Sequence, residues 1–269
     1  MPLAVARTRA AESGAVGLAP IRIIARLDIK GPNVIKGVHL EGLRVLGKPG
    51  EMARRYYAEG ADEIVYMDVV ASLYGRNNIL SVVEEAARDI FVPMTVGGGI
   101  RTLEDIVSAL RSGADKVAIN TAATKCPEFL RDAAEAFGSQ CIVLSVEAKR
   151  RGPGKWEALS DNGRERTGLD VLGWVVEAES LGVGEVLVTS VDMEGTRKGF
   201  DVELIASVRE RVRVPVIACG GAGGADHVNR LLDGSHCDAV CCASIFHYDL
   251  CPIPDLKRKL SAEGQAVRL

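Results

Sequence analysis

One pattern occurs twice in this chain, 122 residues apart, and it limits the available folds more than any single motif does. Val92-Pro93 leads through Gly97-Gly98-Gly99, an amphipathic stretch and Gly113-Ala114-Asp115 to Asn120-Thr121. Val214-Pro215 leads through Gly220-Gly221, a second amphipathic stretch and Cys237-Asp238 to Ala243-Ser244. Upstream, Gly60 and Glu63 with a hydrophobic run to Asp68 answer Gly182 and Glu185 with a run to Ser190. A repeat of strand, glycine turn, helix, strand and Thr/Ser implies two like half-structures. A phosphate site in one half then implies a twin in the other, and a substrate with two phosphates.

Between these landmarks, short apolar runs alternate with amphipathic ones. The strand candidates are Arg22–Leu27, Glu63–Met67, Pro93–Val96, Lys116–Ile119, Ile142–Val146, Glu185–Thr189, Pro215–Ala218 and Ala239–Cys242. Helical patterns lie near 50–59, 79–89, 103–112, 127–137, 169–181, 202–211, 225–233 and 254–262. Strands with almost no polar alternation are buried on both faces. Eight strand–helix units in 269 residues, repeated as two halves, predict an α/β fold: a (β/α)8 TIM barrel with twofold internal repeat. An open doubly wound sheet is the alternative. Residues 1–20 match nothing in the repeat and, lacking an apolar signal core, read as a disordered leader. Residues 21–269 read as one domain.

Several function classes fall away. A net charge of −3 with no Lys/Arg-rich block gives no reason to expect nucleic acid. No apolar run approaches the roughly 20 residues that span a bilayer. Seven cysteines, an odd number without paired zinc-type spacing, suit a reducing compartment, and the chain reads as cytoplasmic. Cys241 and Cys242 fall in an apolar strand, where cysteine acts as a small hydrophobe. No cofactor or metal is expected.

Chemistry in such a barrel gathers at the C-terminal ends of the strands. Asp28, Asp68 and Glu147 end the first, second and fifth strands. The first and fifth lie opposite one another, so one carboxyl could donate a proton across the mouth while the other accepts one. An acid after a strand can instead cap the next helix, but a loop of about 20 residues follows Asp28. Asp28 and Glu147 share no strict register in the repeat. The glycine turns, with Gly98, Gly99, Gly220 and Gly221, leave N–H groups free for phosphate, and each opens toward a helix. Asn120, Thr121, Ala243 and Ser244 follow the fourth and eighth strands, where Thr121 and Ser244 can add hydroxyl donors. At the other end, Arg22, Glu63, Lys116 and Glu185 start four strands. Pointing inward, they would form a salt-bridged ring closing the floor; the plainer reading is solvated strand ends.

On these residues the chain resembles the cyclase-subunit family of imidazole glycerol phosphate synthase, from histidine biosynthesis. The likeness runs from about Ile21 to the C-terminus. It rests on Leu27-Asp28 with Lys36-Gly37, Gly60-Ala61-Asp62-Glu63, Asp68 with Ala71-Ser72 and Gly75-Arg76, and Thr95-Val96-Gly97-Gly98-Gly99-Ile100. It continues through the run Gly113 to Ala122, Phe137-Gly138-Ser139, Thr189-Ser190, Gly195-Thr196, Gly220-Gly221-Ala222-Gly223 and Ala243-Ser244. The sister isomerase of the pathway shares a two-phosphate barrel but lacks the Asp68 to Arg76 run. The resemblance implies a glutaminase partner on the N-terminal face, whose ammonia passes an Arg22/Glu63/Lys116/Glu185 gate and travels along the axis. There it would attack phosphoribulosyl-formimino-aminoimidazole-carboxamide ribonucleotide, giving imidazole glycerol phosphate and aminoimidazole-carboxamide ribonucleotide. Asp28 would be the general acid and the fifth-strand acid the general base. Lys36 would close over a substrate also held by Asp68 and Gly195.

Departures from the family pattern cluster at the chemistry. The fifth-strand acid is aspartate in the family and Glu147 here, and the second acid after Asp192 is lengthened to Glu194. Cys219 replaces a serine, and Lys30-Gly31-Pro32-Asn33 replaces a Lys-Asp-Gly-Arg loop. An ångström of carboxyl displacement can cost about 10²-fold in rate. A second reading follows: a cyclase-like paralogue conducting glutaminase ammonia to a sugar amidotransferase in surface-polysaccharide biosynthesis. The wording of the segment from His39 to Gly47 is closer to that branch. A third is a non-catalytic barrel scaffold for a glutaminase.

Overall fold

Apolar, β-branched runs close on themselves in the computed structural model, which describes residues 19–71 and 79–269. The strands are β1 (Arg22–Lys30), β2 (Asn33–Val38), β3 (Glu41–Gly47), β4 (Glu63–Asp68), β5 (Met94–Gly97) and β6 (Lys116–Ile119). They continue with β7 (Ile142–Gly152), β8 (Lys155–Ser160), β9 (Glu165–Asp170), β10 (Glu185–Ser190), β11 (Val216–Cys219) and β12 (Ala239–Cys242). The order β10-β11-β12-β1-β4-β5-β6-β7, with β7 pairing back to β10, is a closed eight-stranded parallel barrel. The expected (β/α)8 barrel is therefore the observed one.

The described helices are α1 (Pro49–Ala58), α2 (Leu80–Ala86), α3 (Leu103–Arg111), α4 (Thr121–Lys125), α5 (Glu128–Phe137) and α6 (Val171–Ser180), followed by α7 (Val202–Arg209), α8 (Ala225–Ser235), α9 (Ser244–His247) and α10 (Ile253–Ala262). Local chemistry sets several starts. Thr102 caps α3 in a reciprocal box with Asp105, and the Asp201 side chain caps α7.

Burial on both faces explains the missing alternation. On β1, Ile23, Ala25 and Leu27 pack outward into the core shared with the helices, while Ile24 joins Val65, Val143, Leu187 and Ile217 inside the barrel. Cys241 faces the inner cluster and Cys242 the outer one.

The repeat is reproduced in the sheet. Ile64 pairs with Met94 and Val186 with Val216, so the β4–β5 and β10–β11 registers match at an offset of 122 residues. Between β5–β6 and β11–β12 the offset grows to 123, since Val96 pairs with Val117 and Ala218 with Val240. That added residue brings Asn120-Thr121 level with Ala243-Ser244.

The structure corrects two expectations. Asp28 and Glu147 are repeat mates after all: Asp28 pairs with Met67, Glu147 with Thr189, and Met67 and Thr189 are themselves 122 residues apart. A different spacing upstream (119 residues from Asp28 to Glu147) hid the match in the sequence. The long loop after Asp28 is in fact a hairpin, β2–β3, and its counterpart β8–β9 follows β7. Register shifts in both hairpins interrupt the two-residue alternation that marks strands. The leader expected over residues 1–20 lies outside the described residues, except for its last two. So do Ser72 and Gly75-Arg76.

Candidate active site

Two glycine cradles lie at the C-terminal mouth. Gly98 has φ +88°, and a Cβ there would sit 2.1 Å from the Asp68 carbonyl oxygen. Gly220 has φ +97°, and its Cβ would sit 2.9 Å from the carbonyl oxygen of Ser190, the repeat mate of Asp68. Only glycine combines positive φ with so close a backbone approach. A cavity of about 300 Å³ opens over the first turn, lined by Asp68, Gly98, Gly99, Asn120, Thr121 and Glu147. On the other side, a cavity of about 430 Å³ is lined by Lys36, Gly195 and Ser244. Beneath it, Gly220, Gly221, Ala243 and Ser244 surround a narrower hollow.

Each cavity also carries two cations that sequence reasoning missed. Arg101 and Lys125 line the first. Arg44 and Arg197 line the second, with the Arg197 guanidinium 4.4 Å from the Tyr248 ring centre. Arg101 follows Gly99 by two residues, a spacing that could have pointed to it. Paired cations beside these glycine turns suit a phosphate at each end.

Neighbours hold several expected site residues. The Asn120 side-chain amide donates to Glu147 Oε2 at 2.9 Å and to the Leu159 carbonyl at 3.1 Å, so it supports the acid. Thr121 Oγ1 accepts from Asp161 N at 3.0 Å. Asp68 Oδ1 accepts from Val70 N at 3.0 Å, and burial raises its pKa. Gly195 lies against Gly37 and Val38, seating the β2–β3 hairpin on the segment after β10.

The two strand-end acids sit in opposite electrostatic settings. Asp28 is 4% exposed and lies between two cations: Arg26 Nε donates to Oδ1 at 2.7 Å and Lys36 Nζ to Oδ2 at 3.1 Å. Burial alone would raise its pKa, but Arg26 and Lys36 outweigh that and hold it far below the usual carboxylate range. Lys36 also pairs with Glu194, and these two acids raise its pKa despite its burial. Among the described residues, Glu147 accepts from the Asn120 amide and, at 2.7 Å, from Gly163 N. Burial pushes its pKa up to about 7, partly offset by Arg26. Asp28 is thus the ionised carboxyl and Glu147 the one that keeps a proton to near neutrality.

Sequence reasoning also passed over Arg26. The available signal was a charge in an apolar strand at even spacing from Ile24 and Asp28.

At the opposite end the four strand-start charges meet in one ring. Arg22 donates to Glu63 at 2.6 Å and to Glu185 at 2.5 Å, while Lys116 donates to them at 3.1 and 2.9 Å. Each acid bridges both bases, so the ring closes the floor beneath the inner apolar cluster. Among the described residues, no group of three His, Cys, Asp or Glu is placed to hold a metal.

Two matched glycine turns beside cavities lined by cations, and two buried acids on opposite strands of a closed barrel, define a (β/α)8 barrel of the enzyme type. A sequence model of the histidine biosynthesis protein family matches residues 22–252. "Imidazole glycerol phosphate synthase subunit HisF" of Legionella pneumophila is 61% identical over 209 residues, covering 78% of this chain and 99% of that protein. The protein of that name from Mycobacterium tuberculosis (strain ATCC 25177 / H37Ra) is 49% identical over 261 residues, 95% of this chain and 97% of its own. That of Thermobifida fusca (strain YX) is 47% identical over 253 residues, with 92% and 98% covered. The chain belongs to this family, the cyclase subunits of imidazole glycerol phosphate synthase.

Proposed function

We propose that this chain is the cyclase subunit that converts phosphoribulosyl-formimino-aminoimidazole-carboxamide ribonucleotide, with ammonia, to imidazole glycerol phosphate and aminoimidazole-carboxamide ribonucleotide. The observation that carries this reading is the matched pair of cradles beside two opposed acids. A substrate with a phosphate at each end would bind by both cradles, which would hold its reactive centre between Asp28 and Glu147. Ammonia addition to a carbonyl needs a proton delivered to oxygen and one taken from nitrogen, and a neutral and an ionised carboxyl supply that pair. Ammonia from a glutaminase docked on the N-terminal face would enter through the Arg22/Glu63/Lys116/Glu185 ring and cross the apolar interior. This reading needs no cofactor, nucleic acid or membrane, and places the enzyme in the cytoplasm. Among the described residues no helix is long and apolar enough to cross a membrane.

The test gives the purified chain this substrate with excess ammonium salt and no partner. Product formation is expected, and a complete absence of turnover overturns the reading. One observation favours the paralogue that passes ammonia to a sugar amidotransferase: Asp28 is sealed in a buried ion-pair set while its opposite number is lengthened to Glu147. That alternative predicts no turnover by the native chain and recovery in Glu147→Asp.

A further inference from the structure

Side chains of β1 enter the barrel at alternate positions: Arg22 in the floor ring, Ile24 in the apolar layer, then Arg26 and Asp28. Arg26 is only 2% exposed, and a guanidinium keeps its charge at any working pH. Neither the cradles nor the floor ring uses it. Besides Asp28, its Nη1 donates to Thr189 Oγ1 at 3.1 Å and approaches Cys219 Sγ at 3.6 Å. Thr189 lies on β10 and Cys219 on β11, so the side chain reaches from β1 across β12 toward the far wall.

Buried charges persist only in compensated, hydrogen-bonded sets. The set here joins two cations, Arg26 and Lys36, to two carboxylates, Asp28 and Glu194. Its charges balance without Glu147, whose hydrogen bonds among the described residues come from amides. A charge on Glu147 would be the uncompensated one.

Among the described residues, the other groups acting on Asp28 and this set are Cys219 on β11, Cys241 on β12, Glu147 on β7 and His247 in α9. Burial lowers the His247 pKa to about 4, leaving it neutral. Among the described residues, the two lasting positive charges beside Asp28 are therefore Arg26 and Lys36. Lys36 lines the open second cavity, where an anionic substrate competes for it. Neither Arg26 nor Asp28 lines the two cavities, so Lys36 is the member of the set that an anion in the second cavity meets directly, and the Arg26–Asp28 contact lies behind it.

We propose that Arg26 is a positioning residue that divides labour between the two acids, holding Asp28 as the proton acceptor and leaving Glu147 as the proton donor. This deepens the cyclase reading and rests on it for the substrate. It also reverses the roles that the family resemblance implies.

The test compares Arg26→Met, which keeps length without charge, with Arg26→Lys. In substrate-free protein carrying ¹³C-labelled aspartate carboxyls, Asp28→Asn assigns the Asp28 resonance. That resonance should stay ionised down to about pH 4 in the native chain and in Arg26→Lys, and titrate above about pH 5 in Arg26→Met. With substrate and excess ammonium, rates corrected for the neutral-ammonia fraction should follow a bell. In Arg26→Met the bell should move to higher pH, with kcat falling about tenfold per pH unit below the raised Asp28 pKa and KM little changed. Arg26→Lys should restore the native profile. Should Arg26→Met fail to fold, Arg26→Gln, which can still donate to Asp28, carries the same expectation. An unshifted Asp28 resonance, or a loss of kcat with no change in the profile, overturns the proposal. If the native chain turns over no substrate, the cyclase reading falls, while the carboxyl titration still decides whether Arg26 holds Asp28.

Discussion

The two halves of this barrel place their acids identically and treat them oppositely. Asp28 and Glu147 end equivalent strands at the same register, and each strand continues into an added hairpin. Beside Asp28, the hairpin supplies a buried lysine and the strand itself an arginine. Beside Glu147, the neighbours are a side-chain amide and a backbone N–H. One site stabilises the charge and the other penalises it, so a symmetric scaffold yields two carboxyls with opposite pKa shifts. Repetition of the backbone fixes where a group sits; its immediate neighbours fix its protonation.

Asp28→Asn should break the comparison hardest. It leaves Arg26 buried without its carboxylate, and removing one partner of a buried pair costs about 3–5 kcal/mol. Urea unfolding should show that loss, and turnover should drop by about 10²–10⁴-fold.

Glu147→Gln should act with the opposite sign on stability. The folded pKa of about 7 lies above the ordinary 4.5, so the fold favours the protonated form. Stability is lost as pH rises from about 4.5 through about 7. Two to three pKa units correspond to roughly 3 kcal/mol. The variant should therefore melt higher than the native chain at about pH 8 and level with it near pH 4, while turnover falls about 10²-fold. Equal melting of the two at both pH values would remove the contrast between the acids.

Lys116→Met is the mildest. Its ammonium is 19% exposed, and the other floor cation, Arg22, still bridges both acids, so stability should change by only about 1 kcal/mol. Ammonium-driven turnover should hold, while glutamine-driven turnover with a glutaminase partner should fall several-fold. An equal fall in both would show that the ring does not act on the route of ammonia.

Much of the scaffold was legible because its signals are local. The eight barrel strands could be read from apolar runs and glycine turns, and Lys116–Ile119 and Ala239–Cys242 match the observed strands at both ends. Gly98 and Gly220 were legible as cradle residues because strain-tolerant turns demand glycine. The hairpins were not, since their pairing is irregular, and α4 and α9 are too short to show a helical period. Arg101, Arg44 and Arg197 looked like any surface cation until the fold brought them to the cavities. Arg26 was passed over although its partner Asp28 stands two residues along the strand; its contacts with Thr189 and Cys219, more than 160 residues away, come only with the fold.

The sequence by itself determined the twofold barrel, the two glycine cradles and the identity of the strand-end acids. Each depends on periodicity or on a residue type that a backbone position requires. Only the tertiary structure decided that Asp28 and Glu147 are symmetry mates, and that cations hold the pKa of one down while burial pushes the other up to about 7. Register depends on pairing across strands, and a buried carboxyl's pKa depends on which distant charges and amides the fold packs against it.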